Sequence, residues 1–367
     1  MIEAGADVNA RDNEGETPIW AALEFRGTAG TKELIAAGAD VNVSRRGHTL
    51  LSTAAEFGET ALVEAMIAAG ADVNAKDKEG KTALGAALGM GDATATRALI
   101  AAGADVNARS GGDVLVVRAA SHAARLGKAE IFSALIAAGA DINAKDNESN
   151  TALISASAGP DSAAAQALIA AGADLNVTDS QGNTALMMAV KKGHSATAKA
   201  LIAARADVNA IDNQVNTALM KSERVDADVI EALIVAGADV NATDDQGSTA
   251  LHYLGRRTKA DRVWPLIAGG ADVNATSVSG TTPLMSAARN TDGADIVKGL
   301  IAAGAEVNAK DAKGFTALMI ATDWGHLDSV LALVAAGADM HAKDAEGRTA
   351  LDFAKNRPKL LAALRAP

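Results

Sequence analysis

The chain has 367 residues, no cysteine, and a net charge of −11 from 34 Lys and Arg against 45 Asp and Glu. Without cysteine, disulfides and thiolate metal sites are excluded, and the acidic balance argues against general binding to nucleic acid or to an anionic membrane. No uncharged apolar run reaches the ~18 residues of a membrane span, and no basic segment followed by an apolar core opens the chain, so a cytoplasmic location is expected.

Residues 1–11, opening "MIEAGADVN", read as the tail of a second helix and its hairpin, the end of a repeat whose beginning is cut away. The motif Gly-Ala-(Asp/Glu)-hydrophobe then recurs at Gly38, Gly70, Gly103, Gly139, Gly172, Gly237, Gly270, Gly304 and Gly337, with Arg205 in the remaining slot, at steps of 32 to 36 residues. A second mark, Asp-x-x-Gly-x-Thr, follows in fixed phase, as in Asp12–Thr17, Asp77–Thr82, Asp179–Thr184 and Asp344–Thr349. Two marks held in phase along the whole chain define an internal repeat.

Within each period the Thr is placed to cap a short Ala-rich helix. A Gly or polar break leads to a second helix, as in "ATAKALIAA", which ends at the Gly of the motif, the residue that accepts the left-handed conformation beyond a helix. Val-Asn-Ala and Asp-x-x-Gly read as a tight hairpin. No such unit buries its apolar face alone, so the units must stack. At residues 205–223 the pattern is broken three times: Arg205 and Val215 stand where φ must be positive, and Met220-Lys221-Ser222-Glu223 puts polar groups at stacking positions. A seam is expected there. Residues 344–367, with Pro358 and added charge, read as a C-terminal cap.

Thr17-Pro18-Ile19-Trp20, Thr282-Pro283-Leu284-Met285 and Thr249-Ala250-Leu251-His252, with Gly193-His194 and Gly325-His326 at the inter-helix turn, resemble the signature of the ankyrin repeat family. The resemblance implies an all-α repeat solenoid, a single ankyrin-type stack over residues 1–367. It would contain helix-turn-helix plus β-hairpin units, about ten full repeats and a partial cap. The signature His survives only as His252, and Met187, Met220, Met285 and Met319 replace it elsewhere. Apolar packing is therefore expected in place of its hydrogen bond.

No catalytic, cofactor-binding or metal-binding constellation emerges. "KDKEGKT" (Lys76–Thr82) ends like a phosphate-binding loop but has Ala75 where that motif needs Gly, and no buried strand precedes it. The six histidines lie at least 15 residues apart, too far for one helix turn to pair them as ligands. In Asp72-Val73-Asn74-Ala75-Lys76 a Lys stands where a calcium loop needs oxygen, so the hairpin Asp residues read as turn-formers. Of five Asn-x-Ser/Thr sequons, four fall on the Asn that the hairpins reuse, which repetition explains.

In the ankyrin family the hairpin tips and first-helix ends line a groove. The residues just before the inter-helix Gly slot supply the candidates: Phe25, Phe57 and Met90 in the early repeats, a basic row of Lys191, Lys192, Arg224, Arg256, Arg257 and Arg289, and Trp324 near the end. Trp20, Tyr253 and Phe315 are further candidates for exposure. Aromatic and Arg residues are those that most often dominate an interface. The expected function is a non-catalytic scaffold that binds a protein partner carrying an acidic segment, with no nucleic acid or membrane, and monomeric unless the uncapped N-terminal face self-associates. The alternative is the targeting module of a larger protein, enzymatic or not, whose other domain is missing from this chain.

Overall fold

A computed structural model describes residues 6–127, 130–257 and 259–365. They pack as two units, Met1–Ser180 and Gln181–Pro367. Each is a stack of helix pairs, as in Ala93–Ala101 behind Ala83–Met90 in the first unit and Leu327–Ala335 behind Ala317–Trp324 in the second. The architecture is an all-α repeat with only short strand pairs.

The Thr caps its helix in most repeats; the exceptions are Thr17, whose buried hydroxyl has no partner among the described residues, and the repeat with Val114 in its place. The hydroxyls of Thr49, Thr82, Thr151, Thr184, Thr282 and Thr316 each accept the backbone N–H three residues on, satisfying a donor that the helix start leaves unpaired. In the second helix the Leu of "LIAA" is fully buried at Leu99, Leu135, Leu168 and Leu201. Each such burial contributes about 1.5–3 kcal/mol. Ala95, Ala164, Ala165 and Ala198, earlier in the same helices, are buried as well.

The hairpins depart from the expected strands. Only Ser44–Arg45 with His48–Thr49, and Arg109–Ser110 with Asp113–Val114, form two-residue ladders among the described residues. Elsewhere the turn is held by its Asp. Oδ1 of Asp77, Asp212, Asp244, Asp311 and Asp344 accepts the N–H groups of residues two and four further on, at 2.8–2.9 Å. These bonds close the hairpin without a ladder, which confirms the turn-forming role of the Asp residues.

The repeated Asn is a clamp between repeats. Asn74 donates from Nδ2 to Gly103 O (3.1 Å) and accepts from Asp105 N–H (2.7 Å). Asn241 does the same to Gly270 O (3.2 Å) and Asp272 N–H (2.8 Å). Both ends of the amide are used, and the sequons are a by-product.

The signature slot is buried in every repeat but the last, where Asp352 is half-buried. Met187, Met220, Met285 and Met319 are all buried, and so is Trp20, at 4% exposure. This corrects the expectation that Trp20 reaches the groove: it stands fourth in Thr17–Trp20, at the slot that faces the packed interior. In the same slot His252 Nδ1 accepts the Thr249 N–H (3.1 Å) while Nε2 donates to Thr281 O (3.0 Å). Those partners select the neutral ring, and burial pushes its pKa below the ordinary value. A His depressed in the folded state contributes stability that is complete above its unfolded pKa of about 6.5 and lost as pH falls below it. The denaturant midpoint is expected to drop between pH 7.5 and 5.5. His252→Met, the residue of the sibling slots, should flatten that slope; an unchanged slope would show that His252 carries none of it.

Residues 205–224 are irregular and lie inside the second unit. Arg205 has φ +67° and Val215 φ +60°. Arg26, Arg46 and Ser149 also have positive φ, but Val215 is the one β-branched residue there among the described residues, and such a residue is a true outlier. A helix expected to be α is the 3-10 helix Leu219–Arg224, broken at Ser222. Ser222 Oγ donates to Leu219 O (2.6 Å), and Arg262 Nη1 reaches Glu223 O (2.8 Å).

Val215 also has a neighbour effect. A Cβ added at Gly182, Gly247, Gly280 or Gly314 would lie 2.7–3.2 Å from the next hairpin's backbone. Adjacent hairpins are joined there by Asn213 N–H to Gln181 O, Val278 N–H to Gln246 O, Ala312 N–H to Ser279 O and Ala345 N–H to Lys313 O. Among the described residues the corresponding bond from Asp245 to Gln214 is absent. Ser149, which also bears a Cβ at positive φ in this slot, keeps the bond from Ser180 N–H to Glu148 O (2.9 Å), so the loss goes with the β-branched Val215.

Candidate functional site

In the first unit Phe25 is 87% exposed just beyond the helix Pro18–Glu24, and Met90 is 50% exposed. Phe57 is half-buried, with the Arg26 guanidinium 4.8 Å from its ring centre. The three apolar candidates thus reach the surface.

Three cations of this unit are already matched, while Arg26 has only the Phe57 ring among the described residues. Arg45 pairs with Glu16 (2.9 Å) and with Glu24. Lys81 lies 2.9 Å from Glu79 and 3.7 Å from Glu56, and Arg118 lies 3.1 Å from Asp113. Lys81, the lysine of the loop resembling a phosphate site, is therefore engaged by carboxylates, and Lys76 and Thr82 bridge as a hairpin.

The second unit is different. Lys191 and Lys192 sit in the last turn of the helix Ala185–Lys192, favoured there by the negative end of its dipole. Both are exposed, as is Arg224 at the end of the 3-10 helix. None of the three has an ion-pair or side-chain hydrogen-bond partner among the described residues. They line one cleft of about 500 Å³ whose single lining carboxylate is Glu223. Lys221 lines it too but is spent on Asp212, at 2.5 Å.

Asp212 is buried, which pushes its pKa up. The Lys221 hydrogen bond and the Asn216 and Gln214 amides outweigh that, leaving it below the usual carboxylate range. Arg256 and Arg257 end the helix Ala250–Arg257, and their side chains lie outside the described residues.

Arg289 is half-buried on the wall between two clefts, of about 230 and 360 Å³. The larger also contains Phe315, Ile320 and Trp324. Trp324 is 59% exposed and stacks on His326, ring centres 6.4 Å apart. Phe315 is half-buried beside Phe353 (5.6 Å), with Arg348 over both rings. Tyr253 is half-buried, its hydroxyl donating to Asp244 at 2.5 Å; burial and that carboxylate drive its pKa well above the ordinary value.

The structure brings Lys191, Lys192 and Arg224 together in one cleft and Arg289 with Trp324 in another. The slot rule failed to foresee that Val225 and Asn290 turn inward, and it gave no warning of the hydroxyl-lined cleft around Ser277. The substitution of Ser277 for the hairpin Asp was the available signal.

Among the described residues no cluster of three or more His, Asp or Glu side chains could hold a metal ion, and no helix is long and apolar enough to cross a membrane. A family model described as ankyrin repeats (3 copies) matches residues 1–77, 25–110, 118–212, 159–244, 217–311, 259–344 and 292–365. No curated protein matches the chain.

Proposed function

The chain belongs to the ankyrin repeat family, whose repeats are generally protein–protein interaction modules, and on that premise we propose that it is a non-catalytic scaffold binding a partner protein through the clefts of its second unit. An acidic segment of the partner lies against Lys191, Lys192 and Arg224, and an apolar side chain enters the cleft beside Phe315 and Trp324. The observation that carries this reading is the contrast in charge pairing. In the first unit Arg45, Lys81 and Arg118 are matched internally, whereas Lys191, Lys192 and Arg224 share the cleft of the second unit with no ion-pair partner among the described residues. Exposed cations of this kind give complementarity and a faster encounter with an acidic partner.

Lys191→Glu, Lys192→Glu and Arg224→Glu together are expected to weaken binding of a labelled hexaglutamate peptide at least about tenfold, with folding stability changed by no more than about 0.5 kcal/mol per site. Equal affinity of the variant and the intact chain would remove the basic cleft from the account. For the partner recovered by pull-down with the intact chain and identified by mass spectrometry, Trp324→Ala should cost about 2 kcal/mol of binding, as for a typical anchor. A sharp fall in melting temperature with binding intact would make Trp324 a packing residue instead.

A further inference from the structure

The hairpin Ser277–Thr281 is where the second unit lacks its Asp. In the neighbouring hairpins Asp244 and Asp311 each accept two backbone N–H groups on Oδ1. Ser277 Oγ accepts only one, from Thr281 at 3.1 Å. The Ser279 N–H, equivalent to those of Gln246 and Lys313, has no acceptor among the described residues. Nine residues on, where Lys221 and Tyr253 reach back to Asp212 and Asp244, this repeat has the short Ser286.

Ser286 is only 5% exposed, yet its hydroxyl has no partner among the described residues and lines the cleft of about 230 Å³. The hydroxyls of Ser277, Ser279 and Thr281 follow one another at 3.0 Å on the same wall, with Arg289 beside them. A small residue at both positions has left a cavity lined with donors where its siblings have an internal carboxylate. The Ser286 hydroxyl and the exposed Ser279 N–H are donors without a protein acceptor among the described residues, open to an acceptor from outside.

We propose that this cleft takes a carboxylate of the bound partner, an Asp or Glu side chain that completes the hairpin as Asp244 and Asp311 complete theirs. The proposal rests on the reading that the second unit binds an acidic segment, and it adds a second anchor for that segment. Asp244 also lines the cleft, but its carboxylate is engaged by two backbone amides and by Tyr253, so the Ser and Thr hydroxyls and the Ser279 amide remain for the incoming group. A carboxylate is favoured over a phosphate because the sibling hairpins hold a carboxylate on these same backbone positions.

The test is amide NMR of the full chain titrated with sodium acetate and, separately, with sodium phosphate. The Ser279 and Thr281 amides should shift saturably with acetate. Ser277→Asp, which restores the sibling residue and should fold at least as well, should show those amides already shifted and silent to acetate. It should also weaken the hexaglutamate peptide about tenfold, the loss of one charge-assisted hydrogen bond. Unmoved amides in the wild type, a response to phosphate alone, or equal peptide affinity in Ser277→Asp would each overturn the proposal. Peptide binding that survives Ser277→Asp but not the Lys191/Lys192/Arg224 reversal leaves the function standing and sinks the cleft. Acetate shifts without any peptide binding sink the function and leave the cleft.

Discussion

Lys221→Ala is expected to destabilise the second unit by about 2–3 kcal/mol. Lys221 and Asp212 are 13% and 6% exposed at their side chains and 2.5 Å apart, and removing one partner of a buried pair strands the other charge. The loss should fall below the 3–5 kcal/mol typical of such breaks, because Asp212 keeps the amides of Gln214 and Asn216. Urea melts of the single change and of Lys221→Ala with Asp212→Asn measure it as a cycle. The double change should cost less than the single one. A single-change loss under about 0.5 kcal/mol would class the pair with exposed ones.

Arg205→Gly with Val215→Gly is expected to stabilise the chain by about 2–3 kcal/mol, most of it from position 215. A left-handed conformation costs a side-chain-bearing residue about 1–2 kcal/mol, with a β-branched one worse placed. Gly at 215 would also let the Asp245 N–H approach the Gln214 carbonyl, as the sibling hairpins do. Stability in a stack of repeats is close to a sum of repeat and interface contributions, so this weak interface is expected to divide unfolding into two cooperative blocks, about residues 1–211 and 212–367. Hydrogen exchange across Ala203–Glu223 and denaturant melts check this. The wild type should show low protection there and two transitions, and the double Gly variant one. A single sharp transition in the wild type, with protection equal to the flanking repeats, would rule out the seam.

The surface was less legible than the fold. Phe25, Met90 and Trp324 are exposed as the slot rule expects, because that slot lies at a helix end where no neighbouring helix covers it. Trp20 was misplaced because its slot, read for the residue type rather than the repeat position, looked like an exposed aromatic. Glu24 and Glu56, next to Phe25 and Phe57 in the sequence, are engaged by Arg45 and Lys81 from the next hairpins. That pairing joins residues more than twenty positions apart and depends on how far each side chain reaches.

The sequence by itself determined the repeat, its helix starts and ends, and the positions wanting positive φ. Those features are set within one unit by short-range rules: a Thr that caps, a Gly or Asn that turns, an Asp that closes a hairpin. Only the tertiary structure decided which charges are free. Lys191, Lys192 and Arg224 look no different in the sequence from Arg45, Lys81 and Lys221. Whether a carboxylate stands within 3–4 Å of a cation is decided by stacking, which sets the distance between side chains of successive repeats. The same stacking turned two small residues, Ser277 and Ser286, into a cavity, since neither is unusual until the neighbouring hairpins show what it replaces.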